Sequence, residues 1–159
     1  MATVSLSELL GSIVYDASGT ACGRVREVAM APQEDRSRVS LLIVKTATGN
    51  RMLPLTSVSA INGGIRASSA VAEWTSADGS EGLLLLSRDL LDQQVIDVHG
   101  RKVVRVNDVD FHHDSAQNRS VLRVGGVDVG ARGAVRRLLK GVLPAAALRA
   151  ILVRMKGHL

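Results

Sequence analysis

Slid 81 positions along itself, the chain matches eleven residues between 9 and 49 to their own kind without a gap. The matches are Leu9 with Leu90, Leu10 with Leu91, Val14 with Val95, Asp16 with Asp97, Gly19 with Gly100, Arg24 with Arg105, Val25 with Val106, Val28 with Val109, Arg38 with Arg119, Leu41 with Leu122 and Gly49 with Gly130. Two copies of one pattern must bury the same faces and make the same turns, so the chain is a duplicated unit. Each copy reads as a Leu-Leu start, a short apolar strand, an Asp-x-x-Gly turn, a strand carrying Arg-Val-x-x-Val, a polar loop and a third strand beginning at Leu. That is the outline of a small β module, and nothing in the shared pattern has the look of catalytic chemistry.

Copies of roughly 60 to 80 residues lie near the lower limit for a self-sufficient core, and packing the two together relieves that limit. No apolar run in the 159 residues approaches the ~18 needed to span a bilayer. The N-terminus lacks a charged region followed by a hydrophobic signal segment, so a cytoplasmic location is expected. The single cysteine, Cys22, cannot close an internal disulfide, in keeping with a reducing compartment.

Charge is distributed unevenly. Residues 1–82 hold seven Lys/Arg and eight Asp/Glu, residues 83–130 six and seven, and residues 131–159 seven and none. The net charge of +5 therefore resides in the tail, and arguments from charge about partners concern that segment.

In the first copy, Ser5 three residues before Glu8 has capping-box spacing for one helical turn. Strands are predicted over 13–15, 23–30 and 39–45, with an Asp-x-x-Gly turn at 16–19 and a loop from 32 to 37. Pro54 assigns 51–55 to an edge or strand-start position, and 65–67 closes the unit. The small polar stretch 68–82 reads as a connector whose Trp74 covers the seam between the halves. The second copy repeats the scheme with strands over 83–86, 95–98, 102–109 and 121–124, a tight turn at 97–100 and a loop over 112–119. Beyond Gly130 the copies diverge. Val135, Leu138, Leu139, Val142 and Leu143 fall at helical spacing with Arg132, Arg136, Arg137 and Lys140 on the other face, which predicts a basic amphipathic helix, and Pro144 starts a second one.

The residues Leu9-Leu10-Gly11, Val14-Tyr15-Asp16, Gly19, Gly23-Arg24-Val25 and Val28, followed by the strand at 41–44 and Leu53-Pro54, resemble a PRC-barrel domain. That family includes the cytoplasmic part of the photosynthetic reaction-centre H subunit and the C-terminal domain of the ribosome maturation factor. The strings 83–97, 100–109 and 126–130 are similar to bacterial proteins in which a PRC-barrel region precedes MgtE-type intracellular and CBS domains. The resemblance implies two small PRC-like β-barrels in tandem: 1–67 as the first, 68–82 as connector, 83–130 as a second and incomplete barrel, and 131–159 as the basic helical segment. It also implies a magnesium link by association, although no CBS pair or acidic MgtE-type helical domain is recognisable in the chain. Residues 156–159 resemble the lead-in to a counterpart of the 51–55 strand. The chain is accordingly expected to be the N-terminal part of a longer protein, or to have its last strand supplied by another chain, with an open edge that invites a homodimer.

Candidate chemistry is sparse. Asp108, Asp110, His112 and Asp114 share one side of an alternating strand, with His113 between, a donor set that suits a hard divalent ion; a solvated strand end and loop is the competing and favoured reading. Cys22 beside Arg24 could have a lowered thiol pKa, but with no base or motif near it the residue reads as a small strand position. The run 125–133 fails the phosphate-loop templates and is expected to turn from strand to helix. Asp16 and Asp97 read as matching turns and not as a catalytic pair.

The expected role is a mainly β, non-enzymatic interaction module without cofactor, an adaptor associated with magnesium transport or a membrane protein. Contact residues are expected at Arg24, Arg26, Arg105, Arg132, Arg136, Arg137 and Lys140, and Arg24 and Arg105 could equally pair with acids inside each barrel. The tail would meet an anionic membrane surface peripheral to the inner membrane. The alternative is a ribosome- or RNA-associated factor like the maturation-factor barrel; nearly absent aromatics disfavour nucleic acid.

Overall fold

The computed structural model describes residues 2–31, 33–35, 37–91, 94–97, 102–131 and 134–138. In chain order its elements are β1 (Ala2–Ser5), α1 (Leu6–Leu9), β2 (Ile13–Tyr15), β3 (Ala21–Met30), β4 (Leu41–Thr46), β5 (Gly49–Pro54), β6 (Val58–Ile61), β7 (Ile65–Ala67), β8 (Thr75–Ser76), β9 (Leu84–Leu85), α2 (Leu86–Asp89), β10 (Gln94–Asp97), β11 (Lys102–Ala116), β12 (Arg119–Ala131) and β13 (Ala134–Leu138). The protein is mainly β, and no described helix is long and apolar enough to cross a membrane. One sheet runs β6-β7-β2-β3-β4-β5-β8 with β9 also on β3; the other runs β1-β11-β12-β13 with β10 also on β11. Among the described residues neither sheet returns to its first strand.

The duplication governs the register. Ile13 faces Arg24 in the first half and Gln94 faces Arg105 in the second, a shift of 81. In the next hairpins β3 keeps the shift of 81, while β4 and β5 shift by 85: Val25 opposite Val44 becomes Val106 opposite Val129, and Val44 opposite Arg51 becomes Val129 opposite Arg136. The four extra residues lie in the connection. Residues 31–40 join β3 to β4 in the first half, whereas β11 and β12 extend into one long hairpin. The predicted loop over 112–119 is therefore strand on both sides of a two-residue turn, with Gln117 and Asn118 at φ of 52° and 59° as a primed turn requires. The single-offset match of Leu41 with Leu122 and Gly49 with Gly130 aligns positions that differ in register.

Two further expectations change at the C-terminal end. Residues 134–138, read as the start of a helix, form β13 and pair with 127–131 of β12, whose open edge offers backbone partners at alternate residues. Val135 and Leu138 are then strand residues. The run from Gly125 to Gly130, expected to turn into a helix, also continues as strand. β13 stands beside β12 as β5 stands beside β4, so the counterpart of the 51–55 strand is β13 and not 156–159, which fall outside the described residues. The same is true of the helical reading of 139–159.

The halves exchange their lead-in strands. β1 pairs with β11, Val4 opposite Phe111 and Ser5 opposite Asp110, while β9 pairs with β3, Leu84 opposite Met30 and Leu85 opposite Ala29. These are equivalent contacts once the lead-ins are shifted by 80 and the long strands by 81. The helical turn following each lead-in is then capped by a carboxylate of the other half. Glu27, 7% exposed, accepts hydrogen bonds from the backbone N–H groups of Ser87 (2.7 Å), Arg88 (3.0 Å) and Val28 (3.0 Å). Asp108 accepts from Ser7 N–H (3.1 Å), Ser7 Oγ–H (2.6 Å) and Val109 N–H (2.8 Å). Both acids follow a bulge at the same place, with Arg26 extra between Val25 and Glu27 and Asn107 extra between Val106 and Asp108.

One hydrophobic cluster spans both halves. Leu6 and Leu9 from α1 and Leu84, Leu86 and Leu90 around α2 are fully buried in it together with Val28, Val109 and Phe111. At about 2 kcal/mol for each buried leucine, an upper figure, the lead-ins contribute too much for either half to dispense with the other. Residues 37–39 add a second tie: Val39 N–H donates to Leu122 O (2.9 Å) and Val124 N–H to Ser37 O (2.8 Å). The 68–82 stretch is likewise built in. β8 pairs with β5, and Trp74 is buried in the cluster with its Nε1–H donating to Ser69 Oγ (2.9 Å).

Glu27→Gln keeps the side-chain size but turns an amide N–H₂ toward a backbone donor, and is expected to lower unfolding stability by about 2 kcal/mol in urea titration. Asp108→Asn, at a more exposed site, should cost about half as much, and both should leave the circular dichroism spectrum unchanged.

Candidate functional site

The residues that frame the turns are occupied by structural work. Asp16 Oδ1 accepts from Ser18 Oγ–H (2.6 Å), Ser18 N–H (2.9 Å) and Thr20 N–H (3.1 Å), and these bonds, the Ser18 hydroxyl first, hold its carboxyl below the usual carboxylate range. Gly19 completes the turn at φ +84°. Arg24 donates from Nη1 to Gly11 O at 2.9 Å and so braces the entry to β2. Arg105, its partner in the repeat, is exposed on β11. Cys22 donates weakly to Val14 O (3.4 Å), and burial followed by the Asp16 charge pushes its thiol pKa up. The lowering that Arg24 suggested is thus replaced by a rise, caused by burial and by the Asp16 charge.

The Asp/His string on β11 does not converge on one point. Asp108 is consumed in capping α1. His112 lies flat over Gly125: a Cβ built there would meet its Nε2 at 2.6 Å, so only glycine fits beneath the ring. His113 reaches Ser120 Oγ at 3.2 Å, Asp110 is half-buried opposite Gly126, and Asp114 is exposed near the hairpin tip. Among the described residues no group of three or more His, Cys, Asp or Glu is placed to hold a metal ion.

An open polar cleft of about 810 Å³ lies on the first-half sheet, where the bulge of β3, the start of β5 and the turn after β8 meet α2 of the second half. Arg26, Arg51 and Arg88 line it, with Asn50, Asp78 and Ser87 among the remaining groups. Arg26 owes its position to the bulge, which turns the extra residue outward while Val25 and Glu27 on either side are buried. It makes no hydrogen bond or ion pair among the described residues. Arg51 Nη2 touches Thr48 Oγ1 at 3.3 Å. Arg88 is paired with Asp89 through Nε–Oδ1 (2.7 Å) and Nη2–Oδ2 (2.9 Å). Glu27 at the back has both oxygens filled by backbone donors, so it does not quench the arginines by direct contact.

Of the expected contact residues, the structure thus brings Arg26 to the cleft and assigns Arg24 to the frame. Arg136 and Arg137 are placed on β13 opposite Val129 and Asp128, and Arg132 and Lys140 fall outside the described residues. Sequence reasoning missed Arg51 and Arg88, and also the Glu27–Asp108 pair. An acid in the same place in both copies was the available signal for the caps.

Two tests follow from this geometry. Gly125→Ala should destabilise by about 2 kcal/mol through the clash with the imidazole, and His112→Ala in the same chain should recover most of that loss in urea midpoints. His113 has its pKa lowered by burial, with Asp114 opposing. Because the unfolded chain then takes up the proton more readily, its stability contribution is complete above about pH 6.5 and is lost as pH falls through the folded value. His113→Gln should flatten that acid limb of a stability–pH curve.

No protein-family model and no curated protein matches this chain.

Proposed function

We propose that the chain is a non-enzymatic interaction module built of two PRC-like units, an adaptor that docks on an acidic protein surface. The observation that carries the reading is Arg26, a guanidinium held outward by a bulge in a cleft with Arg51 and without a partner among the described residues. Guanidinium groups presented by rigid strands, close to buried carboxylates that are already saturated, suit recognition of carboxylates more than bond-making. The resemblance supplies the class of partner: a membrane transporter of MgtE type or its intracellular domains, with the basic tail meeting the membrane surface beside it.

Binding of the full chain to a labelled Glu-rich peptide, to a single-stranded RNA of similar charge, and to phosphatidylcholine vesicles with and without phosphatidylglycerol tests the reading by fluorescence anisotropy and sedimentation. Peptide binding at physiological ionic strength that exceeds RNA binding is expected. Tighter RNA binding that falls steeply with salt would replace the adaptor with the ribosome-associated factor.

A further inference from the structure

The duplication provides an internal control for the cleft. With the structural offsets of 80 for the lead-in, 81 for the long strand and 85 for the strands after it, each position of the first half has a counterpart in the second. The frame is kept: Glu27 corresponds to Asp108, Ser87 to Ser7, and Arg51 to the register position of Arg136. The charges around it are not. Arg26 corresponds to Asn107, Arg88 to Glu8, and Ile43 to Asp128. A cleft bearing three arginines and two acids, buried Glu27 and exposed Asp78, thus has at the paired positions of the second half one arginine and three acids. The charge of Arg24 is kept at Arg105 in the repeat, whereas that of Arg26 is not kept at Asn107.

We infer that the first-half cleft is a dedicated site for a carboxylate-bearing peptide segment, with Arg26 and Arg51 as its anchors. This rests on the docking role proposed above and names the surface that performs it. Three features select a peptide over a compact oxyanion. The cleft, at about 810 Å³, accommodates several residues of a chain. Asp78 on its rim can accept a peptide N–H, and the Asn50 side chain can both donate and accept. Ile43 and Leu85 provide apolar floor between the charges, which suits acidic residues alternating with others along an extended segment. Arg88 is neutralised by its bidentate pair with Asp89 and is not an anchor.

The test uses the full chain and a fluorescein-labelled peptide of alternating Glu and Val, with urea midpoints confirming that each variant folds. Arg26→Glu and Arg51→Glu are each expected to weaken binding by about tenfold or more. Asn107→Glu, which adds the same side chain at the equivalent bulge of the second half, should change affinity by less than about twofold. Arg26→Glu changes the net charge by two and Asn107→Glu by one, so a loss from Asn107→Glu of half or more, on a logarithmic scale, of that from Arg26→Glu would reduce the effect to net charge and overturn the site. So would full retention in Arg26→Glu combined with loss in a variant with Arg149, Arg154 and Lys156 changed to Glu, an outcome that leaves docking in place but moves it to the tail. Displacement of the peptide by inorganic phosphate at equal ionic strength would assign an oxyanion site instead. A wild-type chain that binds no acidic peptide would overturn the docking role itself.

Discussion

The reciprocal capping of α1 and α2 is the interaction on which the arrangement depends. Each lead-in strand leaves its own half, pairs with the long strand of the other, and ends in a helical turn whose N–H groups need an acceptor. Glu27 and Asp108 are that acceptor, delivered to the right place by bulges that occur at equivalent points of β3 and β11. Removing either acid would leave amide groups without a partner at the junction that carries the five buried leucines. The two halves are therefore not beads on a string: each completes the other's core.

The same bulge that delivers the cap also creates the exposed position beside it. An extra residue in one strand of a ladder has no cross-strand neighbour, so its side chain is released from the sheet's packing and its identity is free to vary. In the second half that position holds Asn107; in the first it holds Arg26 at the mouth of a cleft. Frame and recognition are thereby separated by a single residue along the strand. Substitution at Arg26 changes the charge of the cleft without touching the buried carboxylate next to it.

Much of the frame was legible in the repeat. Leu9 and Leu90, Val25 and Val106, and Val28 and Val109 are identical in the two copies because they occupy the shared core, and Asp16 with Gly19 identifies its turn by local hydrogen bonding alone. The hairpin at Gln117-Asn118 was not legible, since that pair is a weaker turn signal than Asn-Gly and the flanking polar residues look like a loop. Residues 134–138 carry a helical spacing of apolar positions, but an unpaired edge on β12 outweighs a periodicity that short. The Asp/His string looked like a ligand set because alternation puts its members on one side, whereas Asp108 was already committed to a donor about a hundred residues away in the chain.

Sequence by itself determined that this protein is a duplicated β unit, where the Asp16–Gly19 turn lies, and which apolar residues common to both copies are core, because that turn and the strand alternation are set by neighbours along the chain. Tertiary structure alone decided that the lead-ins cross between halves, that Glu27 and Asp108 cap each other's helices, and that Arg26, Arg51 and Arg88 face one cleft. Those contacts join residues up to about a hundred positions apart, and their partners are chosen by the packing of a shared core and not by anything local to the segments that make them.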